Sequence, residues 1–227
     1  TVPYKQNIYA LKKLGVTNIL SVSACGSLKE DLAPGDFVLV DQFIDRTYLR
    51  KKSFFGKGCV AHVSLAHPTC NNFSKIIFEI GKKLEIKIQL GGTYMTMEGP
   101  QFSTLAESKL YKDHWKCDVI GMTNMPEAKL AKEAEICYTS LSMVTDFDCW
   151  HPDHDSVEVS DIIETLTNNS SKAQRIIEAL PQFLKSNRDL CSLGCNNALD
   201  NAIITAPEKR DPKVLKTLDV LLQRLNK

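Results

Sequence analysis

ICYTSLSMVTDF, residues 136–147, is the longest apolar strand candidate in the 227-residue chain, and strand and helix patterns alternate on either side of it. Working upstream, residues 126–134 read as a helix with Pro126 in its first turn, CDVIGM (117–122) as a strand and residues 104–111 as a helix. GGTYMTMEGP (91–100) reads as a strand ending at a Gly-Pro break. Phe73, Ile76, Ile77, Ile80 and Leu84 mark a helix over 72–84, with Asn71 and Asn72 as candidate caps. CVAHVSLA (59–66), FVLVDQF (37–43) and NILSVSA (18–24) read as strands, the basic stretch 46–57 as a loop, and residues 4–14 as a helix stopped by Gly15. Downstream, a long helix spans roughly 157–184, the stretch to Pro212 is mixed, and residues 214–225 form an amphipathic helix. Such alternation predicts an α/β fold with helices on both faces of one sheet. It places residues 1–227 in a single domain whose segment 185–227 is the less distinctive tail.

Composition narrows the function. Hydrophobic residues make up 43%, charged residues 24%, and the formal net charge is +1, so no basic excess points to nucleic acid. No apolar run approaches the ~18 residues of a spanning helix, and no signal pattern is visible. The expectation is a soluble cytoplasmic protein without a membrane partner. Eight cysteines occur without any CxxC pair, several inside apolar runs, and read as small buried hydrophobes in a reducing compartment. Cys191 and Cys195 are near enough in sequence to pair, which sequence cannot decide.

In α/β sheets, ligands gather at the carboxyl ends of strands, and four strand exits here are chemically loaded. SACGS (23–27) is either a tight turn or an oxyanion cradle of backbone N–H groups with the Ser23 hydroxyl. Thr123 in MTNMPE is either a helix cap or a phosphate contact. Phe102, after the Gly-Pro break, is either a core residue or an aromatic that stacks on a purine. In TDFDCW, Asp146 and Asp148 sit at i and i+2 after the long strand, so both can face one pocket. Crowding and burial raise carboxyl pKa values. One acid can then donate to a purine N7 while the other accepts from an exocyclic amine; a polar strand-to-loop junction is the alternative. CWHPDHD (149–155) invites a metal, but matches no firm zinc spacing and reads more simply as a loop before a helix. His62 and His67 are isolated histidines.

Taken together and in order, SACGSL, PGDFVLVDQFIDRT, TMEGPQFST, GMTNMPEAKLAKEAEICY and TDFDCW resemble the methylthioadenosine phosphorylase branch of the purine nucleoside phosphorylase family, over about 2–183. The resemblance implies a single domain with a mixed, partly barrel-like sheet flanked by helices. It implies homotrimers, no metal or organic cofactor, and phosphorolysis of 5′-methylthioadenosine to adenine and 5-methylthioribose 1-phosphate. Matched residue by residue, it implies phosphate contacts at Ser23, Ala24 and Thr123, the purine-packing aromatic at Phe102, and the ribose contact at Met122. Asp146 and Asp148 would read a 6-aminopurine, His62 would serve a neighbouring subunit's 5′ pocket, and Val159, Ile162 and Ile163 would line the methylthio wall. Two positions depart from the family pattern: Gln101 stands for the usual Arg, and Gly121 for a frequent Asn. The family's first strand and glycine-rich phosphate loop have no counterpart in these 227 residues. A non-catalytic purine-binding or scaffold member, or a 6-oxopurine phosphorylase, are the alternatives.

Overall fold

A computed structural model describes residues 2–152, 159–186 and 191–225, with backbone alone at 159–162 and 185–186. The long strand is β7 (Cys137–Phe147), and every residue from Cys137 to Thr145 is buried. Its continuous apolar character follows from being covered on both faces. Cys137, Leu141 and Met143 pack with helices α2 (Asn71–Lys83) and α5 (Val159–Ser186). On the opposite face, Tyr138 joins α1 (Tyr4–Lys13) and α4 (Glu127–Glu133), and Val144 enters a cluster with Cys25, Val38, Tyr94 and Val119.

The sheet has seven strands. The others are β1 (Asn18–Ser27), β2 (Phe37–Val40), β3 (Gln42–Asp45), β4 (Ile88–Leu90), β5 (Thr93–Thr96) and β6 (Val119–Gly121). Their order is β3-β5-β6-β1-β7-β2-β4, with β1–β7, β2–β4, β3–β5 and β5–β6 parallel and β1–β6 and β2–β7 antiparallel. Only Asp41 separates β2 from β3, yet they lie near opposite ends of that order. A sheet meets this condition only by curling back on itself, so the partly barrel-like form expected above is present. The corner is made by two parallel chains bending together, one at Asp41 and the other at Gly91 and Gly92, whose φ values are +89° and +143°. Asp41 Oδ1 accepts from the Gly92 N–H at 3.0 Å and ties the two bends.

Several sequence expectations change. FVLVDQF is two strands rather than one, because the bend at Asp41 depends on a neighbouring chain. CVAHVSLA is not a strand; it contributes only isolated bridges, Gly56 to Cys59 and Ala61 to Ile203. The Asn71 and Asn72 caps are replaced by Cys70 at the cap position. Pro126 sits at the cap of α4 rather than inside it. The helix near Thr104 is α3 (Leu105–Lys109), held by a Thr104–Glu107 capping box and continued by one π-helical turn to His114. The final helix is broken into α6 (Pro212–Thr217) and α7 (Asp219–Leu222). The tail is well anchored: Leu199, Leu218, Leu221 and Leu222 join the core around Tyr138.

Candidate active site

The strand β1 does not stop at Ala24. It runs through Gly26 and Ser27, where β6 pairs with its free edge, so SACGS is not a turn. Opposite it, the register with β7 jumps between Cys25 and Gly26: Cys25 faces Val144 and Gly26 faces Asp146, leaving Thr145 as the extra residue of a bulge. A bulge re-aims the side chains that follow it. Here it turns the acidic residues toward Gly26. A Cβ built on Gly26 would lie 2.9 Å from Asp146 Oδ2 and 3.6 Å from Asp148 Cβ, so glycine is what lets both acids approach one strand. Replacing Gly26 by Ala is expected to displace the Asp146 carboxylate and lower kcat/KM at least ~10-fold while leaving the melting temperature nearly unchanged. Steady-state kinetics with thermal denaturation check this.

The two acids have unequal settings. Asp146 is half-buried, and its Oδ1 accepts from Thr145 Oγ1 at 2.6 Å. Asp148 is only 4% exposed, and its Oδ2 has no hydrogen-bond partner. Burial pushes the Asp148 carboxyl above its ordinary range, partly opposed by the Ser108 hydroxyl, the Cys149 N–H and the Ser103 hydroxyl. Neither hydroxyl is aligned for a hydrogen bond, and Ser103 Oγ and Ser108 Oγ are themselves buried and unpaired. Buried polar atoms of native proteins rarely lack partners, so two unpaired hydroxyls beside an unpaired carboxyl oxygen mark a place built for a polar ligand. The exit is fixed by Ser27, whose carbonyl accepts from Asp148 N at 3.0 Å and Trp150 Nε1 at 2.8 Å.

Phe102 is 54% exposed, which removes the core reading. It adjoins Ser103, whose carbonyl accepts from Cys149 Sγ at 3.4 Å, so the aromatic and the acids are tied to one locality. Ser23, Ala24 and Thr123 also converge. Ser23 Oγ is buried and unpaired, Thr123 is exposed, and Thr123 Oγ1 shares a 3.1 Å hydrogen bond with Tyr94 Oη. Tyr94 also explains the departure at position 121. A Cβ there would overlap the Tyr94 hydroxyl and meet the Ala24 carbonyl at 3.3 Å, so glycine makes room for the tyrosine. After Thr123 the chain turns through Asn124, buried at φ +69°, a conformation Asn tolerates better than most residues. Its Oδ1 accepts from Tyr138 Oη at 2.9 Å and Ser140 Oγ at 3.0 Å. Thr123 is therefore held by buried hydrogen bonds rather than acting as a helix cap.

One residue central to this arrangement carries no sequence signal. Arg50 lies in the segment read as a basic loop, but its side chain is 11% exposed and joins two strand exits. Nη1 donates to the carbonyls of Met122 (2.9 Å) and Met125 (2.5 Å), Nη2 to Glu98 O (3.0 Å), and Nε to Glu98 Oε1 (3.1 Å). Met122, expected under the ribose, is thus fixed through its backbone, with its sulfur packed against Gly99.

Other expectations fall elsewhere. His62 is exposed on the wall of a cavity of about 400 Å³ that also takes in Lys52, Lys129 and Glu133. That cavity is remote from the acidic pair in its lining, and its charges are satisfied: Lys52 and Lys129 pair with Asp45 at 2.9 and 2.5 Å. Unpaired polar groups, not volume, distinguish the strand exits. Ile163 is exposed on α5, while the side chains of Val159 and Ile162 lie outside the described residues. Within CWHPDHD, His151 stacks on Phe147 (4.6 Å between centroids) and lies 3.4 Å from Glu30. Asp153, His154 and Asp155 lie outside the described residues, and no metal-ligand group forms there among those described.

A curled mixed sheet with acids, hydroxyls and an exposed aromatic at neighbouring strand exits is a nucleoside-processing arrangement, and residues 2–181 match the family described as the phosphorylase superfamily, to which the chain belongs. Over all 227 residues it is 60% identical to S-methyl-5′-thioadenosine phosphorylase of Cereibacter sphaeroides, spanning 78% of that protein. The methylthioadenosine phosphorylase solved from an antarctic soil metagenomic library is 45% identical and superposes with a TM-score of 0.91, covering 97% of this chain and 77% of that one. Methylthioadenosine phosphorylase from Schistosoma mansoni, solved in complex with adenine, is 32% identical with a TM-score of 0.80, covering 92% and 78% of the two chains. No helix among the described residues is long and apolar enough to cross a membrane.

Proposed function

We infer that the chain is a pentosyltransferase that splits 5′-methylthioadenosine with inorganic phosphate, giving adenine and 5-methylthioribose 1-phosphate, in purine and methionine salvage. The observation that carries this reading is the buried Asp148 carboxyl, its Oδ2 without a hydrogen-bond partner, sharing the Gly26 side of the sheet with Asp146. The glycosidic bond breaks with its electron pair going to the purine, so a proton delivered to the base lowers the barrier. Two acids in unequal settings suit that task, one holding a proton for N7 and the other accepting from the 6-amino group. A 6-oxo base would set an acceptor against an acceptor, and such mismatches are strongly rejected. Phosphate would lie against Ser23, Ala24 and Thr123, attacking the sugar carbon from the side away from the base, with Phe102 against the purine and Met122 under the ribose. Catalysis then rests on placement and charge stabilisation. The reaction needs no cofactor besides its co-substrate phosphate.

The test is phosphate-dependent release of adenine from 5′-methylthioadenosine, compared with adenosine and inosine. Rapid release from the thioether substrate and none from inosine is expected; preference for inosine overturns the base-site reading. The exposed position of His62 fits service to a neighbouring subunit in a homotrimer, with Val159, Ile162 and Ile163 as the methylthio wall, in a cytoplasmic enzyme. His62→Ala is then expected to raise KM several-fold for 5′-methylthioadenosine and hardly at all for adenosine. Equal changes for both substrates would remove the 5′ role.

A further inference from the structure

Four cysteines from three distant parts of the chain meet in the core. Cys70 caps α2, Cys137 opens β7, and Cys191 and Cys195 flank a turn in which Gly194, at φ +61°, donates to the Cys191 carbonyl at 3.1 Å. Cys70 N donates to Tyr138 O at 2.8 Å, which locks the first two together. All four Sγ atoms lie within 4.8 Å of one another, with Cys70 and Cys191 3.5 Å apart. Three of the four are buried and Cys191 is half-buried. A tetrahedral zinc with Zn–S bonds of ~2.3 Å sets its sulfurs ~3.8 Å apart, a spacing these side chains meet with small adjustments.

A second observation comes from a lysine. Lys132 on α4 is 6% exposed, and its Nζ donates to Cys195 Sγ at 3.6 Å. Among the described residues no carboxylate forms an ion pair with it. Lysine is almost never buried without a partner. Four neutral thiols, or two disulfides, offer a cation only weak acceptors. Four thiolates around a divalent ion carry a net charge of −2 and offer a strong one.

We propose that Cys70, Cys137, Cys191 and Cys195 bind a structural zinc ion as a tetrathiolate, with Lys132 as its charge partner. Binding releases the four thiol protons to solvent and changes no oxidation state. The site is closed, with no position left for water or substrate, so its role is to hold structure rather than to react. It fastens the tail to the body at the point where the tail begins to supply core residues, Leu199 first among them. Eight residues of β7 lie between Cys137 and Asp146, ~30 Å of strand, so the metal stands apart from the reacting groups.

The test begins with the unaltered chain, purified without a histidine tag or chelator and analysed for metal by mass spectrometry. One zinc per chain is expected, released when a mercurial blocks the thiols. Cobalt refilling should give thiolate-to-metal charge transfer and tetrahedral d–d bands. Cys191→Ser and Cys195→Ser, at the tail, should each cut zinc content more than tenfold and lower the melting temperature. Should either variant fail to fold, the metal analysis of the unaltered chain decides by itself. The proposal is overturned by folded, metal-free protein whose four thiols all titrate, by an intact mass lighter by two or four hydrogens, which reports disulfides, or by iron in place of zinc.

Discussion

Asp146→Asn and Asp148→Asn are each expected to lower kcat/KM for 5′-methylthioadenosine by 100-fold or more, the scale of a positioned acid in proton transfer. An amide cannot give N7 a proton in the transition state. It also presents an N–H to the 6-amino group where an acceptor was needed. The loss should fall mainly on kcat, because stabilising the departing base matters most once the bond is breaking. Discrimination against inosine should shrink at the same time.

Stability separates this from unfolding. Burial raises Asp148 above its unfolded value, so folding favours its protonated form. The folded protein then carries a penalty that is absent at pH below the unfolded carboxyl value and grows as pH rises through the window up to the raised value. At neutral pH Asp148→Asn removes that penalty. The ligand-free variant should melt no lower than the parent, and a few degrees higher where the unpaired charge dominates, while turnover is lost. Kinetics and calorimetry on one preparation read both. A variant that loses activity only in proportion to lost folding would contradict the assignment.

Arg50→Met is expected to have the largest effect on stability of any single change near the site. It strips the Met122, Met125 and Glu98 carbonyls of a donor and leaves the Glu98 carboxylate with only the Tyr48 and Leu49 N–H groups, at 2.5 and 3.1 Å. Breaking one side of a fully buried pair costs about 3–5 kcal/mol; this one is part-buried, so about half of that is expected, which for a chain of this size lowers the melting temperature by roughly 3–10 °C. The folded fraction should also turn over at least ~10-fold more slowly, because Met122 and Thr123 are no longer held. Arg50→Lys keeps the charge but not the planar fork, and should restore stability more than rate. Melting within about 2 °C of the parent would show that the fork does not join the two exits.

The contrast between Arg50 and the acids shows what sequence can carry. β7 and α5 are legible because periodicity and length suffice. The acids are legible because i and i+2 placement after a strand is a local fact, although the bulge at Thr145 that aims them is not. Gly26 reads as a stop, yet β1 continues through it because β6, nearly a hundred residues away, supplies a partner. Residues 37–43 read as one strand because the bend at Asp41 is imposed by Gly91 and Gly92. Arg50 sits in a segment without periodicity, and nothing near it in sequence reveals that its acceptors lie at 97–98 and 122–125. The cysteines carry no CxxC spacing because their meeting is a product of the fold. Tyr94 and Gly121 become intelligible only as a pair, the glycine yielding space to the ring.

A crystal structure of the protein soaked with adenine and phosphate would test the central claim most directly. The 6-amino and N7 edge of the base should lie within hydrogen-bond distance of the Asp146 and Asp148 carboxyl oxygens, with Phe102 against the ring. Adenine bound instead in the cavity beside His62, with both carboxyls facing only protein or water, would contradict it.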